Sequence, residues 1–253
     1  MIKSKIAVLG LIVSLLAGCA TVTPIVPMTP GSLKSDGGVV GIAMSTVPVT
    51  DTFFPGAGCL LCYAAASAMN ATLTTHARTL AADDLNHLKE DIAGTLNKNG
   101  VKTVIISEAI KVDKLEKTQG GVGKSPYDLS AFKSKYGIDR IIFVDVKNVG
   151  FLRNYSAYVP TSDPKGYFEA TGMMVDLNTN SLQWYQPVNV QKAAEDKWDE
   201  APKYPGLTNA FYQALVNGSD MLIGSIRSAS TVSAKNKADQ TAEVKPSAVG
   251  VSN

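Results

Sequence analysis

The chain is poor in the residues from which active sites are usually built. Its 253 residues include two histidines, two tryptophans and three cysteines. Two histidines leave little for a histidine-based triad, and the G-x-S-x-G nucleophile pattern is missing. No paired carboxylates stand in a recognisable catalytic frame. Charged residues make up 18% of the chain, with 24 basic against 22 acidic. A balanced chain without a basic block has no electrostatic footprint for nucleic acid and no polybasic membrane patch. Nor is there an uninterrupted apolar run of about 20 residues, the length that spans a bilayer.

What is present begins at the N-terminus, "MIKSKIAVLGLIVSLLAGCA". Lys3 and Lys5 form a basic start, and Ile6 to Leu16 is an apolar stretch of export-signal length. Leu16-Ala17-Gly18-Cys19 resembles the bacterial lipobox. That resemblance implies diacylglycerol on the Cys19 thiol, cleavage before Cys19 and acylation of the new amino group. Each buried methylene contributes about 0.8 kcal/mol, so two or three chains would hold the protein on a membrane without a transmembrane helix. Ala20 after the cysteine implies, by the sorting rule of Gram-negative lipoproteins, the outer membrane, with the domain facing the periplasm. Removal of Lys3 and Lys5 leaves 22 basic against 22 acidic residues.

We divide the chain into a signal peptide (1–18), a lipidated cysteine and linker (19–38), a single domain (39–228) and a disordered tail (229–253). The linker is rich in Thr, Pro, Gly and Ser. The tail has few large apolar residues and no aromatics, too little to offset its ordering entropy.

Within the domain, "VVGIAM" (39–44), "VKTVIIS" (101–107) and "IDRIIFVDVKNV" (138–149) read as strands. "TLTTHARTL" (72–80) alternates and is Thr-rich, predicting another. Leu85, Leu88, Ile92 and Leu96 recur at helical spacing and end at Gly100. "SPYDLSAFKSKYG" predicts a helix closed by Gly137. "GFLRNYSAYV" (150–159) and "GYFEATGMMVDLN" (166–178) predict long strands, the second leading into a hairpin around Asn178-Thr179-Asn180. "GLTNAFYQALVNGSDMLIGSI" (206–226) is a closing amphipathic helix. Helices packed on a mixed sheet give an α+β class. Residues 51–70 form an apolar insert.

"FKSKYGIDRIIFVDV" followed by "ATGMMVDLNTNSLQWY" resembles a superfamily of envelope lipoproteins and periplasmic domains. It includes the TolB amino-terminal domain, the lipoprotein activators of penicillin-binding proteins and the curli secretion lipoprotein. The shared pattern is Tyr136-Gly137 at a helix end, then a strand, then Val175-Asp176-Leu177 before a turn and Trp184 after it. The resemblance spans roughly residues 84–188 and implies a TolB amino-terminal-domain-like fold. It also implies a non-enzymatic role: docking to, activating or assembling an envelope machine.

Five candidate sites follow. Cys59 and Cys62 are a Cys-x-x-Cys pair, expected to be a structural disulfide or a buried thiol pair, in a compartment that favours pairing. At a helix start such a pair can also exchange disulfides. A zinc site would have to draw on Cys59, Cys62, His76 and His87, but the histidines lack zinc-finger spacing. "GGVGKS" (120–125) mimics part of a phosphate loop but has Thr118 where the first glycine is needed, and Pro126 follows. Tyr155, Tyr158, Tyr167 and Phe168 flank a polar loop and are expected to offer a partner surface. Asp145, inside an apolar strand, is a candidate buried acid.

We therefore expect no catalytic residues, no metal, no cofactor beyond lipid on Cys19, and no nucleotide or nucleic-acid partner. The expected partners are the membrane, through the anchor, and an envelope protein or further copies of the chain. The leading reading is a binding or accessory component of an envelope assembly. Its rivals are an oligomeric secretion or export component and a thiol–disulfide redox protein using Cys59 and Cys62.

Overall fold

The computed structural model describes residues 23–33, 38–118 and 121–243. The expected signal peptide and Cys19 lie outside the described residues.

In chain order the elements are β1 (Val40–Met44), β2 (Asp51–Phe53), α1 (Leu60–Met69), α2 (Ala71–Ala77), α3 (Leu88–Asn97), β3 (Thr103–Ile105), α4 (Ala131–Tyr136), β4 (Arg140–Leu152), the short hairpin β5 (Tyr155–Ser156) and β6 (Val159–Pro160), β7 (Lys165–Asp176), β8 (Ser181–Ala193) and α5 (Pro205–Glu243). The main sheet runs β3-β1-β4-β7-β8, with β2 joining β4 beyond the end of β1. β1 is parallel to β3 and β4, whereas β4, β7 and β8 are antiparallel. This is the expected α+β class with a mixed sheet.

Alternation along β4 builds two cores, because successive strand residues face opposite sides. Ile142, Val144, Val146 and Phe151 join Ile42 and Met44 beneath the α3 stripe of Leu88, Ile92 and Leu96 and beneath Phe211, Leu215 and Leu222 of α5. Ile141 and Phe143 face the other way, with Ala43, Ile106, Leu129, Met173 and Val175. Both faces are covered, which is why "RIIFVDV" is apolar almost without interruption. Gly137 ends α4 in the left-handed conformation at φ 63°, and Ile138 then enters the second core. In the β7–β8 turn, Asp176 Oδ1 accepts from the Asn178 and Thr179 amides at 2.9 and 3.1 Å.

The structure departs from the sequence reading in five places. Part of the expected linker packs on the domain: Val26 bridges Tyr185, and Leu33 is buried in the first core. Residues 72–80 are not a strand: α2 covers Ala71–Ala77. Leu73 and Ala77, four apart, are its buried positions, and the Thr75 hydroxyl satisfies itself on the Ala71 carbonyl at 3.0 Å. Residues 150–159 are not one strand either, since β4 stops at Leu152 and the chain turns into β5–β6. Residues 51–53 of the expected insert belong to the sheet, Thr52 pairing with Phe151. The helix read as ending near 226 continues to Glu243, through part of the segment read as a disordered tail. A low density of apolar residues argued against packing there, but it does not prevent an existing helix from propagating.

Candidate functional site

The most distinctive surface is built by α1. Cys59 caps the helix, its Sγ accepting the Cys62 amide at 2.9 Å, and the two cysteines form a disulfide across that first turn. Ala64, Ala65, Ala66 and Ala68 favour a helix intrinsically. Only Cys62 and Ala66, again four apart, are buried in it. They pack with Phe54, Ala57 and Tyr155 in a small third core. Asn70 closes the helix: its amide donates to Ala66 O, and its side-chain Nδ2 donates to the same carbonyl at 2.7 Å and to the Tyr155 hydroxyl at 2.7 Å. Its Oδ1 accepts from Arg153 at 3.1 Å, and the Arg153 guanidinium lies over the Trp198 ring.

The remainder of the helix circumference is open. Leu60 is 86% exposed, Leu61 70%, Met69 57% and Tyr63 54%. The neighbouring hairpin adds Val159 and Tyr158, and the Tyr158 hydroxyl stands 3.8 Å from Cys59 Sγ. No charged residue occurs from Thr52 to Thr75 or from Asn154 to Ser162. A large apolar surface without charges is the signature of a contact site rather than of ordinary exposed leucines.

The four aromatics expected to form a partner surface are divided. Tyr158 is exposed, but Tyr155, Tyr167 and Phe168 are core residues. Tyr155 meets Phe54 edge-on. The Tyr167 hydroxyl donates to Glu169 at 2.7 Å, and burial first, then Glu169, pushes its pKa up to about 12. Phe168 lies under Gly218 of α5. Packing on both faces of β7 claims Tyr167 and Phe168, and the small core beneath α1 claims Tyr155. The exposed leucines of α1 were missed, since an apolar run reads as buried. Asn70 was also missed, although a lone amide in an apolar segment is itself a signal.

The other candidates are dispersed. His76 sits in α2, stacked on Phe151, with Nε2 2.8 Å from Thr208 Oγ1, and burial lowers its pKa. His87 is exposed in a short 3-10 turn, and among the described residues no three metal-ligating side chains cluster. In "GGVGKS", Gly121 to Ser125 form a loop against the β7–β8 turn, where Lys124 Nζ donates to Thr179 O at 2.8 Å. Asp145 is 6% exposed and lines a cavity of about 410 Å³ with Ser45, Thr46, Ile110 and Lys111. Burial raises its pKa and Lys147 opposes the shift. The Ser45 hydroxyl beside it is engaged by the Val146 amide at 2.8 Å, so it is not poised as a nucleophile.

No family model and no curated protein matches the chain. Similar solved structures include the PelC dodecamer from Paraburkholderia phytofirmans, at 8% identity, 82% coverage of this chain and 94% of that one, with a TM-score of 0.33. Others are lipoprotein GNA1162 from Neisseria meningitidis (9% identity, 71% and 95% coverage, TM-score 0.29) and the hypothetical protein CT253 from Chlamydia trachomatis (10% identity, 75% and 97% coverage, TM-score 0.33). At such identities and scores the likeness carries no argument about activity.

Proposed function

We propose that this chain is a lipid-anchored, non-enzymatic binding component of the bacterial cell envelope, held at the outer membrane with its domain on the periplasmic side. Leu16-Ala17-Gly18-Cys19 supports the anchor. The observation that carries the binding role is α1, a helix fixed at its first turn by a disulfide and at its last by Asn70, with its apolar side chains turned outward. Rigid presentation lowers the ordering cost of association. The test has two arms. The Cys19→Ser protein is expected to leave the membrane fraction, and unchanged fractionation would end the anchoring claim. Crosslinking in intact cells is expected to capture a discrete envelope partner or further copies of the chain. Capture of neither would end the claim of an accessory role.

Thiol–disulfide exchange is the second reading, favoured by one observation: Cys59 is the exposed cap of a helix and Cys62 is buried behind it. Two leucines separate the pair, and the sheet order is not that of a thioredoxin. Thiol trapping across defined glutathione potentials distinguishes the readings: a pair that equilibrates readily supports exchange, and one that stays oxidised supports a fixed crosslink.

A further inference from the structure

We infer that α1 and the tip of the β5–β6 hairpin form a lipid-contacting face, on which the domain rests against the membrane to which it is tethered. This rests on the anchoring reading above and makes the membrane, rather than another protein, the partner of the α1 surface; two independent features of the domain carry it.

The first is the chemistry of the face. Leu60, Leu61 and Val159 supply exposed apolar side chains, and Tyr63 and Tyr158 add rings with polar tips. Tyrosine is favoured where one end of a side chain is apolar and the other wet, as at a bilayer interface. A ten-residue helix is about 15 Å long, too short to cross a bilayer, and Leu60, Leu61 and Tyr63 gather at its first turn beside the hairpin tip, where the Tyr158 hydroxyl stands 3.8 Å from Cys59 Sγ. Charged side chains, which would resist such burial, are missing from both segments.

The second is where the tether points. Val26 and Tyr185 exchange backbone hydrogen bonds of 3.0 and 2.8 Å in an antiparallel bridge. The chain before Val26 is therefore directed along β8 toward Ala193. That end of the sheet also carries α1: Ala193 pairs with Lys165, Lys165 with Leu152, and the next residue, Arg153, bonds Asn70. Tyr185 to Ala193 covers about 27 Å of strand. The roughly seven residues from Val26 back to Cys19 reach at most about 25 Å. At full extension this tether would be just long enough to let acyl chains on Cys19 approach the level of α1. Only about three strand spacings, about 14 Å, separate β8 from β2, which leads into α1. The opposite end of the sheet presents the polar turn at Asn178–Asn180 and the loop carrying Lys124.

The experiment reconstitutes full-length lipidated protein into vesicles of phosphatidylethanolamine and phosphatidylglycerol, with and without brominated acyl chains. Tyr63→Trp places a fluorescent probe on the face, and Val122→Trp places one in the loop at the far end. Bromolipid is expected to quench the added Tyr63→Trp emission about twofold and to leave Val122→Trp unchanged, since an interfacial helix lies within reach of the acyl chains. Adding Leu60→Glu and Leu61→Glu to the Tyr63→Trp chain is expected to abolish the quenching while the protein remains vesicle-bound. Equal quenching at both probes, or none at either in vesicle-bound protein, overturns the proposal. So does crosslinking between copies through α1 in place of quenching, which would make the face a self-association surface. Loss of the anchor itself reads out separately, as absence of diacylglycerol on Cys19 by mass spectrometry.

Discussion

Asn70 Nδ2 donates to the Tyr155 hydroxyl across 2.7 Å, tying the end of α1 to the start of the β5–β6 hairpin. Both residues are buried, so neither polar group can turn to water when the other is removed. Asn70→Ala breaks three side-chain hydrogen bonds and is expected to cost about 2 to 3 kcal/mol, against about 1 kcal/mol for Tyr155→Phe. In the double variant the losses should fall short of additive, because the two share a bond. Urea unfolding of the four proteins measures the coupling, and full additivity would count against it.

Gly166 of β7 lies against the backbone of α5. A Cβ there would stand 2.3 Å from the Ala210 carbonyl carbon and oxygen and 2.5 Å from the Phe211 nitrogen. Backbone cannot move aside as a side-chain tip can, so Gly166→Ala is expected to destabilise by about 2 to 3 kcal/mol. Gly94→Ala, where a Cβ meets nothing within 4 Å in a helix, should be neutral or stabilising. Thermal unfolding of the two variants gives opposite signs if the helix is seated as described.

His76 gives the domain a direction of pH response. Burial lowers its pKa from the ordinary 6.5, so the folded state holds this proton less readily than the unfolded chain. The associated stability is fully present above about pH 6.5 and is lost as the pH falls through the lowered folded value. His76→Gln should flatten this part of the profile. Urea midpoints between about pH 7.5 and 5 check it, and an unchanged slope would assign the response to other groups.

The disulfide closes only one helical turn. For so short a loop the chain-entropy account gives about 2 kcal/mol. Replacing both cysteines by serine is expected to cost about that much and to leave crosslinking to the envelope partner intact. Unchanged stability together with lost partner capture would point instead to a chemical role for the pair.

β1, β4 and the α3 stripe were legible because fully buried strands are apolar throughout and a helix buries every third or fourth residue. The Asn178–Asn180 turn was legible from its residue types. Residues 72–80 misled because Thr72, Thr74, Thr75 and Thr79 carry a β-branched bias that Leu73 and Ala77 override through contacts made elsewhere in the chain. Tyr155, Tyr167 and Phe168 misled differently: alternation tells that a strand has two faces but not that both are covered. Leu60 and Leu61 were the reverse case. Nothing in an apolar run distinguishes a side chain that is hidden from one that is offered, and only placing Cys62 and Ala66 inward showed which residues were left out.

The register of β1 has a consequence for synthesis and export. Val40 pairs with Thr103 on one side and Arg140 on the other. A chain delivered N-terminus first would therefore hold this interior strand unpaired until residues some sixty and then a hundred positions later had arrived. Closing such loops adds only slowly to the entropic cost, but the wait leaves "VGIAM" uncovered, a strand whose five residues are all buried in the finished sheet. The interval before β4 emerges is thus the period of greatest exposure to aggregation.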